Sequence, residues 1–304
     1  MKKINDHKPF STQAAGCLLS VGATIIWSWN FIIARGVHDS IPPFTLSFLR
    51  WFVAFVVIFP FSIKYFIKDF PAIKSNHKYI FVTSFIGITL FNTLIYIAGH
   101  STDAINLSLI AITSPVFIII FSLIFYDEKI NFLNTIGIVL TLSGVVMLIC
   151  RGSLDVLLNI SFSSGDIWML AASIVFAVYS LLLKIKPEGI GTMSFLFSTF
   201  ALGLIMLIPF LLYDLNSSTP ISLNLTTIIS ILYIGIFASI GGYFMWNKAV
   251  EFIGASKSGI IYYSLPLFST LWAILSLGEK VQAIHFICMI LIVAGIYMAT
   301  KKSG

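Results

Sequence analysis

Charge is what this sequence most lacks. Only 10% of its 304 residues are Asp, Glu, Lys or Arg, where a soluble domain carries about 25%. That is too little charge to solvate the surface of a water-soluble fold. Cysteine is also scarce: Cys17, Cys150 and Cys288 lie far apart, each in or beside an apolar run. Their placement suggests neither a disulfide framework nor a Cys-based metal motif, and leaves packing as their role. There is no His-Glu-x-x-His, no Cys/His cluster, and no Asp or Glu at the centre of any apolar run. The nucleophile, base or metal set of a membrane-embedded enzyme is therefore missing, as is the usual intramembrane carboxylate relay. No catalytic residue, metal or cofactor is expected. The repeated polar rings of a channel filter cannot be read either.

What is present in quantity is apolar: 58% of the chain, with 28 Phe. Ten runs reach the roughly 20 residues that cross a bilayer as a helix, at 14–36, 44–63, 79–98, 104–126, 131–150, 165–184, 192–213, 226–245, 256–277 and 282–300. Backbone inside hydrocarbon must satisfy its own hydrogen bonds, so these are helices. The fold class is an all-α integral membrane protein, with an uncleaved first helix and no soluble domain left over. A small-molecule substrate and the lipid bilayer are the expected partners, nucleic acid is not, and monomer and homodimer both stay open.

The surplus of 18 Lys and Arg over 12 Asp and Glu is a topology signal. With the N-terminus in the cytoplasm, that side collects fourteen lysines, whereas the other face holds Arg35, Arg151 and Lys280, and Arg50 lies inside a span. The positive-inside rule then puts both termini in the cytoplasm and the chain in the cytoplasmic membrane. Between Lys64 and Lys78, Tyr65, Phe66 and Phe70 interleave with lysines, as in a segment lying at the headgroups.

Special residues recur at a nearly fixed spacing. Gly16, Ala23 and Arg35 match Gly165, Ala172 and Lys184 at an offset of 149, while Ala104, Pro115, Glu128, Lys129 and Gly144 match Ala255, Pro266, Glu279, Lys280 and Gly295 at 151. The predicted units are an N-terminal segment 1–13, a first repeat 14–150, a linker 151–164, a second repeat 165–300 and a tail 301–304. Five spans is an odd number, so the second repeat enters from the opposite side. Such inverted repeats, with a site near the midplane between the halves, are a common transporter plan.

Several motifs together resemble a known family. Trp27-Ser28-Trp29-Asn30-Phe31 followed by Arg35, the step Phe48-Leu49-Arg50-Trp51, and the prolines in Ser114-Pro115 and Leu265-Pro266 followed by Glu128 and Gly278-Glu279 resemble the ten-helix, EamA-type branch of the drug/metabolite transporter superfamily. Ser28 stands where that pattern has glycine, and Arg35 where it has lysine. The resemblance covers nearly the whole chain. It implies a central cavity between the halves that opens alternately to each side, with the fifth and tenth helices at the periphery, and a small metabolite, such as an amino acid or a related compound, as exported cargo.

Arg50, the basic residue inside a span, must face protein or a cavity. It either binds an anionic substrate group such as a carboxylate, or snorkels to the outer face. Pro115 and Pro266 are expected mid-helix, as breaks that mark the pathway or as packing kinks. Glu128 and Glu279 suit helix starts or interfacial ion pairs, and proton coupling is the competing reading. His100 is expected in a short outer loop. Trp27, Asn30, Asn92, Tyr96, Tyr179, Tyr243, Asn247 and Tyr263 are the expected polar and aromatic cavity lining, with interhelical bonding as the alternative for each. Gly241-Gly242, Gly137 and Gly144 suit close helix approach.

Overall fold

The computed structural model describes residues 10–102, 107, 110–126, 131–150, 152–153, 155, 158–159, 163–216, 221–277 and 283–300. Glu128, Lys129, Glu279 and Lys280 fall outside them, as do the ends of the chain. All regular structure among the described residues is helical: α1 (Phe10–Gly36), α2 (Pro43–Ser75), α3 (His77–Ser101), α4 (Thr113–Tyr126), α5 (Phe132–Ile149), α6 (Ser164–Lys184), α7 (Thr192–Leu215), α8 (Leu225–Ile253), α9 (Ala255–Tyr262), α10 (Leu265–Leu277) and α11 (Ala283–Thr300). α2, α3, α6, α7 and α8 are each long and apolar enough to cross a membrane, with mean hydropathies of 1.9 to 2.4.

Local sequence explains the starts. Pro42 and Pro43 open α2 where a missing amide costs nothing. The Asn131 and Asn224 side chains accept from the Asn134 and Thr227 amides at 2.7 and 2.9 Å, capping α5 and α8. The lysine-rich stretch from Lys64 is continuous with α2, which runs to Ser75 through Pro60 and Pro71. Pro60 has a counterpart in Pro209 of α7, 149 residues on.

The helices of the two halves interleave. α2 packs along α7, α1 along the end of α8, the end of α3 along α6, and α5 along α11. Glycine permits the last pairing, because a side chain on Gly137 would meet the Gly295 carbonyl at 2.6 Å, and one on Gly295 the Gly137 carbonyl at 2.7 Å. Gly144 and Gly242 are likewise crowded, but Gly241 is not: a Cβ there has only ordinary contact with Ile26, at 3.5 Å. The outward faces carry exposed Phe, Leu and Ile, among them Phe61, Phe125, Ile167 and Ile290. A continuous apolar exterior of this kind suits lipid and not water.

Two helices depart from α geometry at related places. α3 widens to a π turn over Phe85–Leu90 and α8 over Ile234–Gly241. Such π segments concentrate at functional sites.

Candidate functional site

Arg50 sits two turns into α2 and is only 1% exposed. It does not snorkel. Its Nε donates to Ser239 Oγ (2.6 Å) and its Nη1 to Asn30 Oδ1 (3.1 Å) and Tyr96 OH (2.8 Å), and the guanidinium lies 5.1 Å from the Trp51 ring centre. Four helices, α1, α2, α3 and α8, thus meet on one cation. Ser239 belongs to the π turn of α8, and its hydroxyl donates five residues back to the Ile234 carbonyl (2.8 Å), leaving its lone pairs for Arg50. No carboxylate among the described residues pairs with Arg50.

The π turns are bonded from across the molecule. Tyr243 OH donates to the Gly87 carbonyl in the first (2.7 Å), and Trp27 Nε1 to the Ala238 carbonyl in the second (2.8 Å). Gly87 and Ala238 are 151 residues apart. So are Asn92 and Tyr243, and these two bond each other directly, Asn92 Nδ2 donating at 2.7 Å. In the second half Tyr179 OH donates to Asn247 Oδ1 at 3.0 Å.

Around these bonds the aromatic rings interlock. Trp27 stands edge-on to Phe176 (5.6 Å) and Tyr243 (5.8 Å), and Trp51 edge-on to Tyr243 (5.1 Å). Trp246 and Tyr262 close the cluster against Phe176. The expected lining residues are therefore brought together, but packed on one another, none more than 6% exposed. In this conformation they form a closed core and not the wall of an open cavity. Tyr263 is the exception: it packs with Ile112, Val145 and Cys288, beside α5 and α11. Its neighbour Tyr262 points into the core instead.

The prolines also differ from expectation. Pro115 and Pro266 are not mid-helix: each lies in the first turn of a helix, α4 or α10, just after a turn at Ile112 or at Tyr263–Ser264. The Thr113 and Ser264 hydroxyls fold back on the Ile110 and Ile261 carbonyls (2.6 and 2.7 Å), satisfying acceptors that the interruption releases. His100, expected in a loop, belongs to the last turn of α3, its ring 5.9 Å from that of His38.

Sequence reasoning missed Ser239, Phe176, Trp246 and Tyr262. Phe176 was accessible, since it is Trp27 advanced by 149 residues. Ser239 carries no local signal; it is one hydroxyl in an apolar run.

A carboxylate holds each end of the α2/α7 pair. Asp214, near the end of α7, accepts from the Thr45 amide (2.7 Å) and hydroxyl (3.0 Å) at the start of α2. Asp69, near the end of α2, accepts from the Gly191 amide (2.9 Å) and Ser194 hydroxyl (2.6 Å) at the start of α7. Thr45 and Ser194 are 149 apart. Both acids thus sit on helix N-termini, where the dipole favours them. Beside Asp69, Lys186 and Lys248 pair with Glu251 (3.5 and 3.2 Å), and burial pulls the Lys186 ammonium below its usual value, partly offset by Glu251.

A family model described as the EamA-like transporter family matches residues 14–150 and again 163–301. An uncharacterized transporter of Archaeoglobus fulgidus is 29% identical, covering 94% of this chain and 97% of its own. The uncharacterized transporter YetK of Bacillus subtilis is 27% identical, with 97% and 92% covered. A solved crystal structure of a protein aligns with a TM-score of 0.72 over 94% of this chain and 96% of the other, at 19% identity, a likeness of fold.

Proposed function

Because the chain belongs to the EamA-like transporter family, we propose that this membrane transporter moves a small metabolite out across the cytoplasmic membrane by alternating access, with amino acids or related metabolites as cargo. The observation that carries the site is Arg50, a cation buried among α1, α2, α3 and α8 with no carboxylate partner among the described residues. A charge in hydrocarbon is stabilised there only by a partner or water. An anionic substrate group, such as a carboxylate held in bidentate fashion, is the partner. Asn30, Asn92, Tyr96, Tyr179, Tyr243, Asn247 and Trp27 surround it.

Ten spans in two inverted repeats of five give this site its setting. That reading is supported by the pairing of α1 with α8 and of α3 with α6, which exchange under the offset, and by the π turns at matching places. Alternating access is supported by the closed core together with carboxylate contacts at both ends of α2 and α7: rocking one half on the other releases one end at a time. The lysine distribution supports cytoplasmic termini.

Counterflow measured across a broad metabolite panel in proteoliposomes tests the carrier reading, which a complete lack of exchange overturns. Full transport of an anionic solute by Arg50→Lys removes the bidentate role.

A further inference from the structure

Resting on the reading of this core as the substrate site, and narrowing its cargo from amino acids and related metabolites to the related acids alone, we propose that it carries a net-anionic organic acid rich in acceptors, a carboxylate flanked by a carbonyl or hydroxyl, and not a zwitterion or an amine. Hydrogen-bond donors and acceptors are out of balance in this core. Among the described residues, Trp51 Nε1 and Asn247 Nδ2 are buried donors without an acceptor. Arg50 Nη2 and Asn30 Nδ2 make no hydrogen bond to a described residue either, as the bonds of these two side chains run through other atoms. Opposite these donors stands one amide oxygen without a donor, Asn92 Oδ1.

These groups share a neighbourhood. The Trp51 ring lies 5.1 Å from Tyr243, and the Tyr179 ring, whose hydroxyl holds Asn247, lies 5.7 Å from Tyr243 on α8. Among the described residues, Arg50 supplies the only formal charge of this core. The carboxylates Asp39, Asp69, Asp166, Glu188, Asp214 and Glu251 lie in loops or within the last two turns or first turn of a helix, away from this core.

A carboxylate is acceptor-only and an ammonium donor-only. An organic acid with a second acceptor satisfies the Arg50 cation with its carboxylate and the Trp51 donor, on the next residue of α2, with that second group. An amino acid satisfies the same cation but brings its ammonium into a site with a positive charge, surplus donors and no countercharge. Aromatic faces attract cations, yet the Trp51 ring already has Arg50 against it, and Trp27 meets its neighbours edge-on.

Three probes with one carbon skeleton decide the matter: 4-methyl-2-oxopentanoate, leucine and 3-methylbutylamine, titrated calorimetrically into the purified protein and then tested for exchange in proteoliposomes. The oxo acid should bind at least about tenfold more tightly than leucine, with no binding of the amine. Trp51→Phe, which removes one donor and keeps the ring, should weaken the oxo acid roughly three- to tenfold, the worth of one neutral hydrogen bond. Asn247→Asp, which keeps the acceptor for Tyr179 but replaces the donor with a negative charge, should weaken it at least about tenfold while thermal stability shows the variant folded. Leucine or the amine binding as tightly as the oxo acid overturns the proposal, as does failure of the oxo acid to bind, or both variants binding it unchanged. Binding of the oxo acid without exchange of any solute removes the carrier reading and leaves the anion site. Exchange of leucine but not of the oxo acid does the reverse.

Discussion

In the first half Asn30 of α1 lies 3.5 Å from Tyr96 of α3; in the second, Tyr179 of α6 bonds Asn247 of α8 at 3.0 Å. The offsets are 149 and 151 residues, so the two pairs occupy related places with asparagine and tyrosine exchanged. What separates them is Arg50. Its Nη1 bonds both members of the first pair and takes over their mutual contact. The position related to Arg50 is Thr199, whose hydroxyl turns back on the Phe195 carbonyl of its own helix at 2.9 Å. A buried charge is costly in hydrocarbon, and the scaffold bears that cost once. The second half keeps a tyrosine–asparagine contact but supplies only neutral groups around it, so the two related places differ in charge.

The largest break in this comparison is Arg50→Thr, which copies the second half into the first. Three hydrogen bonds from a charged donor disappear, each worth about 1.5–3 kcal/mol. Uptake of a labelled anionic solute is expected to fall at least about 10- to 100-fold, whereas membrane insertion, assayed by yield in the membrane fraction, should persist because a hydrocarbon-penetrating charge has been removed.

The two π turns offer the next contrast. A Cβ on Gly87 would run into the Tyr179 ring, whose Cγ lies 3.0 Å away, while Gly241 has only ordinary contact. Gly87→Ala must therefore rotate Tyr179 off Asn247, with an overpacking cost of about 1–3 kcal/mol. Gly241→Ala should leave stability within about 0.5 kcal/mol. Thermal melting in detergent separates the two. If Gly87→Ala melts with the wild type, the second half-site is looser than its contacts imply.

Removing one hydroxyl at a time is a finer test. Tyr96→Phe takes an acceptor from a cation, and Tyr179→Phe takes a donor from a neutral amide. The first should weaken anion binding by about 1.5–3 kcal/mol and the second by about 0.5–1.5 kcal/mol, measured by titration calorimetry. Equal effects would mean that the two half-sites are not chemically distinct.

Much of this was readable in the chain because the bilayer restricts the answer. Scarce charge and long apolar runs announce spanning helices, and Arg50 stands out because a cation at that depth needs a reason. Asn92 and Tyr243, both picked out for their chemistry, also differ by the repeat offset, which foreshadows their direct bond. The partners of Arg50 were less accessible. Ser239 is aimed by a π turn, and five-residue hydrogen bonding leaves no mark on composition. Tyr262 and Tyr263 are adjacent aromatics with opposite fates, decided by the helix break between α9 and α10. Runs of apolar letters cannot resolve a break of two residues, and the prolines next to it suggested a kink where the chain starts a new helix.

The smallest expected difference lies at the ends of α2 and α7. Asp214 is buried on the Thr45 amide and hydroxyl, whereas Asp69 is partly exposed on Gly191 and Ser194. Asp214→Asn should therefore lower the melting temperature more than Asp69→Asn, because a buried charge-assisted contact is screened less by water. Asp69 adds a pH signature. Hydrogen bonds from Ser194 and then Gly191 hold its carboxyl below the usual carboxylate value, with smaller help from Lys68 and Lys186 against a little desolvation. A carboxyl depressed in the folded state contributes stability that is present above its unfolded value, about 3.9, and lost as pH falls through the lower folded value. From pH 5 to 8 the contact should hold at constant strength, so the melting difference between wild type and Asp69→Asn should be flat over that range and shrink only below about pH 4. A difference that already collapses between pH 7 and 5 would mean that Asp69 is not held by those two donors, and that the ends of α2 and α7 are fastened by something other than matched carboxylates.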